Sequence, residues 1–245
     1  MKISTSILNA KNKIESIVKL NTTNTDYIHV DVMDGKFVKD TQFNKINEIS
    51  SLNIISKYPL DIHLMVENPI KYIEQLQDMN IEYITFHIEV EKNINKIISL
   101  IKELNYKVGI AINPNTDINK VKPYLDKIDM ILIMSVEPGK GGQKFIQTTT
   151  NRIKETKELI KDKNIEIEVD GGINENTITM IKDADIAVAG TYIINSDNYY
   201  RQIEKLKTIS TQKQSLLNIK NKIILAVIII LLIILLIYHL YSKYI

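Results

Sequence analysis

Eight short runs rich in β-branched residues alternate with longer amphipathic segments along the first 210 residues of the chain. The runs that predict strands are 2–8, 27–32, 60–65, 83–87, 107–112, 130–135, 165–169 and 186–189. Between them, apolar residues at three- and four-residue spacing predict helices, for example over 70–76, 94–104 and 153–160. Strands that alternate with helices favour parallel pairing, and eight of them predict a closed (β/α)8 TIM barrel over residues 1–210.

An open, doubly wound sheet is the alternative fold, but no G-x-G-x-x-G sequence follows the first predicted strand. The chain has 245 residues, 44% of them hydrophobic, which is enough for one barrel domain with a full core. Its net charge of +2 gives no general reason to expect nucleic acid as a partner. Because there is no cysteine, disulfides and thiolate ligands are excluded.

Polar side chains stand close to the carboxyl ends of the predicted strands. His29 and Asp31 are two residues apart in an apolar alternation, so both point to the same face of their strand. His63 ends the third predicted strand and Asp170 follows the seventh. These strand ends meet at one face of a barrel, where buried charges are paired or bound to a metal ion. Imidazole and carboxylate ligands suit one divalent ion, and Zn, Mn, Fe and Co all stay open.

Further polar residues and three methionines lie beside these groups. They are His87, Glu89, Glu137, Met33, Met65 and Met134. The polar residues are candidates for orienting the metal ligands, although ordinary hydrogen-bonded packing explains His87 equally well. The methionines either fill gaps in the core or form an apolar collar that keeps water from the reacting carbons. Their spacing alone does not decide between the two.

Glycine-rich turns follow the sixth, seventh and eighth predicted strands. Their residues are Gly139, Gly141, Gly142, Gly171, Gly172, Gly190 and Thr191. Backbone amides next to glycine approach a phosphate closely, and the loops after strands seven and eight are the usual phosphate site of a TIM barrel. The turns therefore predict a phosphorylated ligand.

The end of the chain departs from the barrel pattern. A polar linker over 211–222 leads to 15 consecutive apolar residues at 223–237. The span 223–241 reaches roughly 28 Å as a helix, close to one bilayer core of about 30 Å. Lysines precede this span and only Lys243 follows it, which by the positive-inside rule puts the barrel in the cytoplasm. The sequence thus predicts a single-pass membrane protein with a C-terminal transmembrane helix over 223–241 as its anchor.

Taken in order, eight motifs of this chain resemble those of the ribulose-phosphate 3-epimerase family. They are Ser6-Ile-Leu8, HVDVMDG at 29–35, DIHLMVENP at 61–69, TFHIE at 85–89, INPNT at 112–116, MSVEPGKGGQKF at 134–145, EVDGGIN at 168–174 and VAGTYI at 188–193. The resemblance covers roughly residues 1–209 and leaves the tail outside.

The resemblance implies that His29, Asp31, His63 and Asp170 hold one divalent metal ion. It also implies that Asp31 and Asp170 are the acid–base pair, which moves a proton through an enediolate. The implied substrate contacts are Ser6, His63, Met33, Met65 and Met134, with the phosphate on Gly139, Gly141, Gly142, Gly171, Gly172, Gly190 and Thr191. The expected substrate is a phosphorylated ketose, and a homo-oligomer stays compatible with the sequence.

Three functions compete at this point. The first is interconversion of D-ribulose 5-phosphate and D-xylulose 5-phosphate, which the resemblance favours. The second is the same 3-epimerisation of a hexulose 6-phosphate such as D-allulose 6-phosphate. The third is a non-catalytic, membrane-bound sensor of sugar phosphates. The loss of a metal ligand or of an acid–base Asp would have supported this third function. Since all four predicted ligands are present, an enzyme is the expectation.

Overall fold

The structure, a computed structural model, describes residues 1–90 and 92–211. Nine strands occur among them: β1 (Lys2–Ser6), β2 (Tyr27–Asp34), β3 (Thr41–Gln42), β4 (Leu60–Met65), β5 (Ile81–His87), β6 (Lys107–Ile112), β7 (Met130–Met134), β8 (Glu166–Asp170) and β9 (Ile186–Ala189). All strands except β3 pair in parallel, in the order β1-β9-β8-β7-β6-β5-β4-β2. Because β1 also pairs with β2, the sheet closes on itself, which confirms the predicted barrel and excludes the open sheet.

Helices cover the outside of the barrel. They are α1 (Lys13–Leu20), α2 (Ile46–Ile55), α3 (Pro69–Ile73), α4 (Ile94–Glu103), α5 (Thr149–Leu159), α6 (Thr191–Ile194) and α7 (199–211). In α4 the buried residues are Ile94, Ile97, Ile98 and Ile101, which is the spacing of one helix face. Burying one such side chain stabilises the fold by about 1.5–3 kcal/mol.

Two connections differ from the expected βα repeat. After β6 the chain forms a 3₁₀ helix over Ile118–Tyr124, and after β8 another over Ile178–Ile181. Pro123 lies inside the first of these and has no N–H for an α-helical hydrogen bond. The short strand β3, antiparallel to the end of β2, was also not predicted. Neither difference alters the order of the eight barrel strands.

The registers between strands bring the polar residues to one level. Asp31 of β2 lies opposite His63 of β4, and Met134 of β7 lies opposite Asp170 of β8. Along β2 the apolar residues Ile28, Val30 and Val32 belong to the core between strands and helices, as the alternation predicts. His29 and Asp31 therefore point into the barrel.

The prediction of a single-pass membrane protein is wrong. Among residues 1–90 and 92–211, no helix is long and apolar enough to cross a bilayer. The predicted linker, 211–222, lies outside the described residues except for residue 211, which is helical, and the predicted tail anchor, 223–241, lies wholly outside them. The prediction depended on the apolar run at 223–237 and its extension to residue 241, none of which belongs to a helix that the structure describes.

Candidate active site and metal centre

The four predicted metal ligands come together at the carboxyl-terminal end of the barrel. His29 and Asp31 come from β2, His63 from β4 and Asp170 from β8. One ligand atom of each lies within 4.8 Å of the others. Residues from strands far apart in the sequence thus form one polar cluster, because the strands are neighbours or face each other across the barrel.

The imidazole of His29 is fully buried and has one nitrogen paired and one unpaired. Its Nδ1 atom lies 2.7 Å from Oδ2 of Asp61, an oxygen that also accepts a hydrogen bond from Oγ of Ser4. Its Nε2 atom has no hydrogen-bond partner and lies 3.4 Å from Oδ1 of Asp31. A buried polar atom without a partner costs about 1–3 kcal/mol. An unpaired nitrogen that points into a cluster of carboxylates fits a metal ligand.

The carboxylate of Asp31 lies at the centre of the cluster. Oδ2 accepts a hydrogen bond from Oγ of Ser6 at 3.0 Å, and Oδ1 lies 3.2 Å from Nδ1 of His63. Burial alone raises the pKa of Asp31, but the positive charge of His29 beside it outweighs burial and holds the pKa well below its ordinary value. Conversely, the carboxylates of Asp61 and Asp31 outweigh burial and raise the pKa of His29 well above its usual range.

Asp170 lies nearer the entrance, where 17% of its side chain is exposed compared with 4% for Asp31. Its Oδ2 atom is 3.9 Å from Nδ1 of His63. Burial and the negative charge of Asp31 raise the pKa of Asp170 to about 7. The surroundings therefore shift the pKa values of the two aspartates in opposite directions, which is the property of a paired acid and base.

A chain of hydrogen bonds runs behind His63. Its Nε2 atom lies 2.8 Å from Nε2 of His87, and Nδ1 of His87 lies 3.2 Å from Oε2 of Glu89. Burial lowers the pKa of His87 to about 4 despite the carboxylate beside it. Although burial raises the pKa of Glu89, hydrogen bonds from His87 and Thr116 bring it to about 2. His87 thus contacts the predicted ligand His63, and Glu89 contacts His87, whereas Glu137 is exposed and lies on the rim of the cavity.

Two buried carboxyl groups beneath the cluster were not assigned from the sequence. Asp61 and Glu168 form a second group with His29, again with one atom of each within 4.8 Å of the others. Burial and the negative charge of Asp61 raise the pKa of Glu168 well above its ordinary value, which favours the neutral carboxyl. Each stands two residues before a predicted ligand, His63 or Asp170, on the same strand face. This two-residue spacing from a predicted ligand was the signal in the sequence that could have identified Asp61 and Glu168.

A cavity of about 280 Å³ opens above the cluster. Of the predicted site residues, it is lined by Ser6, Asp31, Met65, Met134, Gly139, Gly141, Gly142, Asp170, Gly171, Gly172, Gly190 and Thr191. Met33, His29 and His63 are buried and do not line it. Asn9, Gln143, Asn174 and Tyr192 line the cavity and were not predicted. The cavity therefore extends from the two aspartates to the glycine-rich loops.

Two glycines let backbone or a short polar side chain come close in these loops. Gly172 has a φ of +64°, and a Cβ atom there would lie 2.6 Å from the backbone nitrogen of Phe145. At Gly141 a Cβ atom would lie 2.4 Å from Nδ2 of Asn9. Asn9 in turn donates a hydrogen bond to Oγ1 of Thr191 at 2.9 Å, which links the loops after β1 and β9. The absence of side chains at these two positions therefore lets the loops around the cavity approach one another closely.

Two imidazoles and two carboxylates fit a divalent metal ion by their chemistry. The ligand atoms are close enough to share one ion, and the unpaired Nε2 of His29 is explained by ligation. Nitrogen and carboxylate oxygen donors are compatible with Zn, Mn, Fe or Co. The identity of the metal stays open.

Comparison with known proteins gives a family match over nearly the whole described chain. The sequence model described as "Ribulose-phosphate 3 epimerase family" matches residues 2–194. The ribulose-phosphate 3-epimerase of Helicobacter pylori J99 is 36% identical over 218 residues, covering 85% of this chain and 98% of that protein. The enzyme of the same name from Bacillus subtilis is 34% identical, covering 86% and 97% respectively. These relatives match over nearly their full length and over about 85% of this chain.

Solved structures with the same fold are more distant in sequence. The 3-keto-L-gulonate-6-phosphate decarboxylase of Vibrio cholerae has a TM-score of 0.63 at 13% identity, covering 86% of this chain and 97% of that one. The 3-hexulose-6-phosphate synthase of Salmonella typhimurium has a TM-score of 0.59 at 18% identity, covering 86% and 99%. At these identities the likeness supports the barrel fold alone.

Proposed function

The chain belongs to the ribulose-phosphate 3-epimerase family, and on this premise we propose that it interconverts D-ribulose 5-phosphate and D-xylulose 5-phosphate. The observation that carries the proposal is the pair of aspartates, Asp31 on β2 and Asp170 on β8, which both line the cavity. The two strands are separated by β1 and β9 in the barrel, so the carboxyl groups reach the cavity from different directions. Inversion of one carbon needs two such groups.

The reaction inverts the carbon next to the ketone of the sugar. One aspartate removes the proton of that carbon and the other returns a proton to the opposite side. In the reverse reaction the two exchange roles, which requires one carboxylate and one carboxylic acid at the start of each turnover. The lowered pKa of Asp31 and the raised pKa of Asp170 are consistent with that division.

The enediolate between the two proton transfers is an anion. A divalent ion held by His29, Asp31, His63 and Asp170 would supply positive charge beside its oxygens. Ser6 holds Asp31 in place through a hydrogen bond, and Met65 and Met134 line the cavity with apolar surface that excludes water. In this proposal the phosphate binds at the end of the cavity lined by the glycine-rich loops and Thr191.

A coupled assay of the purified protein tests the proposal. D-Ribulose 5-phosphate and D-allulose 6-phosphate are compared as substrates, each with and without a chelator, because the sequence leaves both sugars open. Turnover of the pentulose that a chelator abolishes is expected. Asp170→Asn should abolish turnover as well, while the control substitution Asp162→Asn, at an exposed position in the turn that precedes β8, should leave it unchanged. A folded, metal-loaded protein that turns over neither sugar would contradict the proposal.

A further inference from the structure

Glu89, His87 and His63 form a buried chain that ends at the metal centre. Each carboxylate oxygen of Glu89 has a partner. Oε1 accepts a hydrogen bond from the backbone N–H of Asn113 at 2.9 Å, and Oε2 lies 3.2 Å from Nδ1 of His87. Nε2 of His87 lies 2.8 Å from Nε2 of His63. Both imidazoles are 0% exposed, so water does not compete for the contact between them, and 19% of the Glu89 side chain is exposed.

The donors and acceptors of this chain allow one arrangement of protons. A carboxylate only accepts hydrogen bonds, so Nδ1 of His87 must donate to Glu89. A neutral imidazole has a single N–H, so Nε2 of His87 accepts and Nε2 of His63 must donate to it. The other nitrogen of His63, Nδ1, is then left with its lone pair.

That lone pair faces the cluster of predicted ligands. Nδ1 of His63 lies 3.2 Å from Oδ1 of Asp31 and 3.9 Å from Oδ2 of Asp170. A lone pair opposite two carboxylate oxygens is repulsive unless a cation lies among them. The proton arrangement imposed by Glu89 therefore makes His63 a ligand and not a hydrogen-bond donor to the aspartates.

The geometry of the rings holds this arrangement. The planes of His63 and His87 are inclined by 25° and their centroids are 5.0 Å apart, so the rings meet nearly edge to edge through the two nitrogens. Phe37, from the loop after β2, packs on the ring of His87 with centroids 4.7 Å apart. It fixes the ring from the solvent side.

We propose that Glu89 and His87 are positioning residues that set the tautomer and orientation of His63 for binding the divalent ion. The inference rests on the proposed function, because it presupposes that His63 is a ligand. It goes beyond that function in assigning a role to two side chains that touch neither the ion nor the substrate. Loss of such supporting groups typically lowers metal affinity 10- to 100-fold.

The first test measures Zn²⁺ affinity of the full-length protein by competition with a chromophoric chelator. His87→Leu removes the acceptor for Nε2–H of His63 and should weaken binding by roughly 10- to 100-fold. His87→Gln offers a carbonyl acceptor near the same position and should recover most of the affinity. Glu89→Gln should weaken binding because an amide oxygen satisfies only one of two donors, whereas Glu103→Gln, exposed at the end of α4, should bind as wild type.

The second test needs no variant. ¹⁵N chemical shifts of the Zn²⁺-loaded wild-type protein should show protons on Nε2 of His63 and Nδ1 of His87. A His87 without a proton on Nδ1, or unchanged affinity in His87→Leu, would overturn the inference. Equal losses in His87→Leu and His87→Gln would also overturn it, since a purely structural role predicts that result. A wild-type protein that binds no Zn²⁺ would instead overturn the proposed metal site, so the two failures are distinguishable.

Discussion

Ser6 is a short polar residue that contacts Asp31, one of the two proposed catalytic carboxylates. The resemblance implies that it touches the substrate, and the structure places its Oγ 3.0 Å from Oδ2 of Asp31. A hydrogen bond to a charged group contributes about 1.5–3 kcal/mol, and each 1.36 kcal/mol corresponds to a factor of ten in rate. Ser6→Ala is therefore expected to lower kcat/KM about tenfold or more.

Steady-state kinetics with D-ribulose 5-phosphate check this prediction. Ser196→Ala is the matched control, because Oγ of Ser196 bonds only to the backbone oxygen of Ile193 at a helix end. The control should keep the wild-type value. An unchanged kcat/KM in Ser6→Ala would mean that the hydrogen bond to Asp31 contributes nothing to the transition state.

At the scale of single residues, the sequence identified the groups that converge but not the contacts behind them. His29, Asp31, His63 and Asp170 were predicted because carboxyl-terminal strand ends in a barrel meet at one face. The bond between the Nε2 atoms of His63 and His87 depends on the tilt and stagger of closed strands, which a linear pattern does not contain. The position of Glu137 was also not evident from the sequence. It was a candidate for orienting the metal ligands, but it is exposed on the rim of the cavity.

At the scale of elements, the loops after β1, β7 and β9 meet over the cavity. Asn9 donates a hydrogen bond to Thr191, and the space that this side chain occupies exists because residue 141 is glycine. Gly141→Ala is expected to displace Asn9 and break the link, since the new Cβ would lie 2.4 Å from its Nδ2. The displaced atoms are the end of a flexible side chain, so the fold should tolerate the change.

The expected result is a raised KM for the phosphorylated substrate with kcat nearly unchanged. Loops that hold the phosphate contribute equally in the ground state and in the transition state, so their loss appears in KM. Asn9→Ala should give a similar rise, and the double variant should add little to either single one. A fall in kcat with KM unchanged would place Gly141 and Asn9 in the chemical step and contradict this assignment.

A different set of strands is joined at the opposite end of the barrel. Lys2 of β1 forms an ion pair with Glu166 of β8 at 2.7 Å, and Glu166 also accepts a hydrogen bond from the hydroxyl of Tyr83 on β5. Burial raises the pKa of Glu166, but the bonds to Lys2 and Tyr83 outweigh it and lower the pKa. The proton thus binds more tightly in the unfolded state, so stability from this group rises with pH.

This contribution should be fully present above the ordinary Glu pKa of about 4.3 and be lost as the pH falls through the lowered value of the folded state. The measurement is the free energy of unfolding of the wild type and of Glu166→Gln between pH 7 and pH 3. The difference between the two proteins should shrink as the pH falls. A difference that stays constant or grows toward low pH would show that the Glu166 carboxylate does not stabilise this end.

Strand prediction succeeded for a physical reason that also explains its failures. Short runs rich in β-branched and other apolar residues mark strands, and the eight barrel strands lie in such runs. A two-residue strand such as β3 has no period to detect, and it exists only because β2 extends to Asp34 as its partner. The 3₁₀ segment over Ile118–Tyr124 was equally hidden, since its apolar spacing also fits an α-helix.

At the scale of the whole molecule, the candidate metal ligands connect distant parts of the barrel. β2 supplies two of them, β4 one and β8 one, and β8 is separated from β2 by β1 and β9. An ion bound at these residues therefore joins segments that are far apart in the unfolded chain. Because the unfolded chain does not hold the four groups together, binding should shift the folding equilibrium toward the native state.

The expected stabilisation of the fold by the bound ion follows from mass action. Free metal ion at 100 times its Kd stabilises a single site by about 2.7 kcal/mol. For a domain of this length, 1 kcal/mol moves Tm by roughly 2–4 °C, so saturation should raise Tm by roughly 5–10 °C. Thermal unfolding of chelator-treated protein, titrated with Zn²⁺ or Mn²⁺, measures the shift.

His63→Ala should lose most of this shift in Tm, while Glu103→Gln should keep it in full, because Glu103 lies on the exposed side of α4 and outside the cluster. If His63→Ala gained as much as the wild type, the stabilising ion would bind elsewhere, and the assignment of the four residues as its ligands would have to be abandoned.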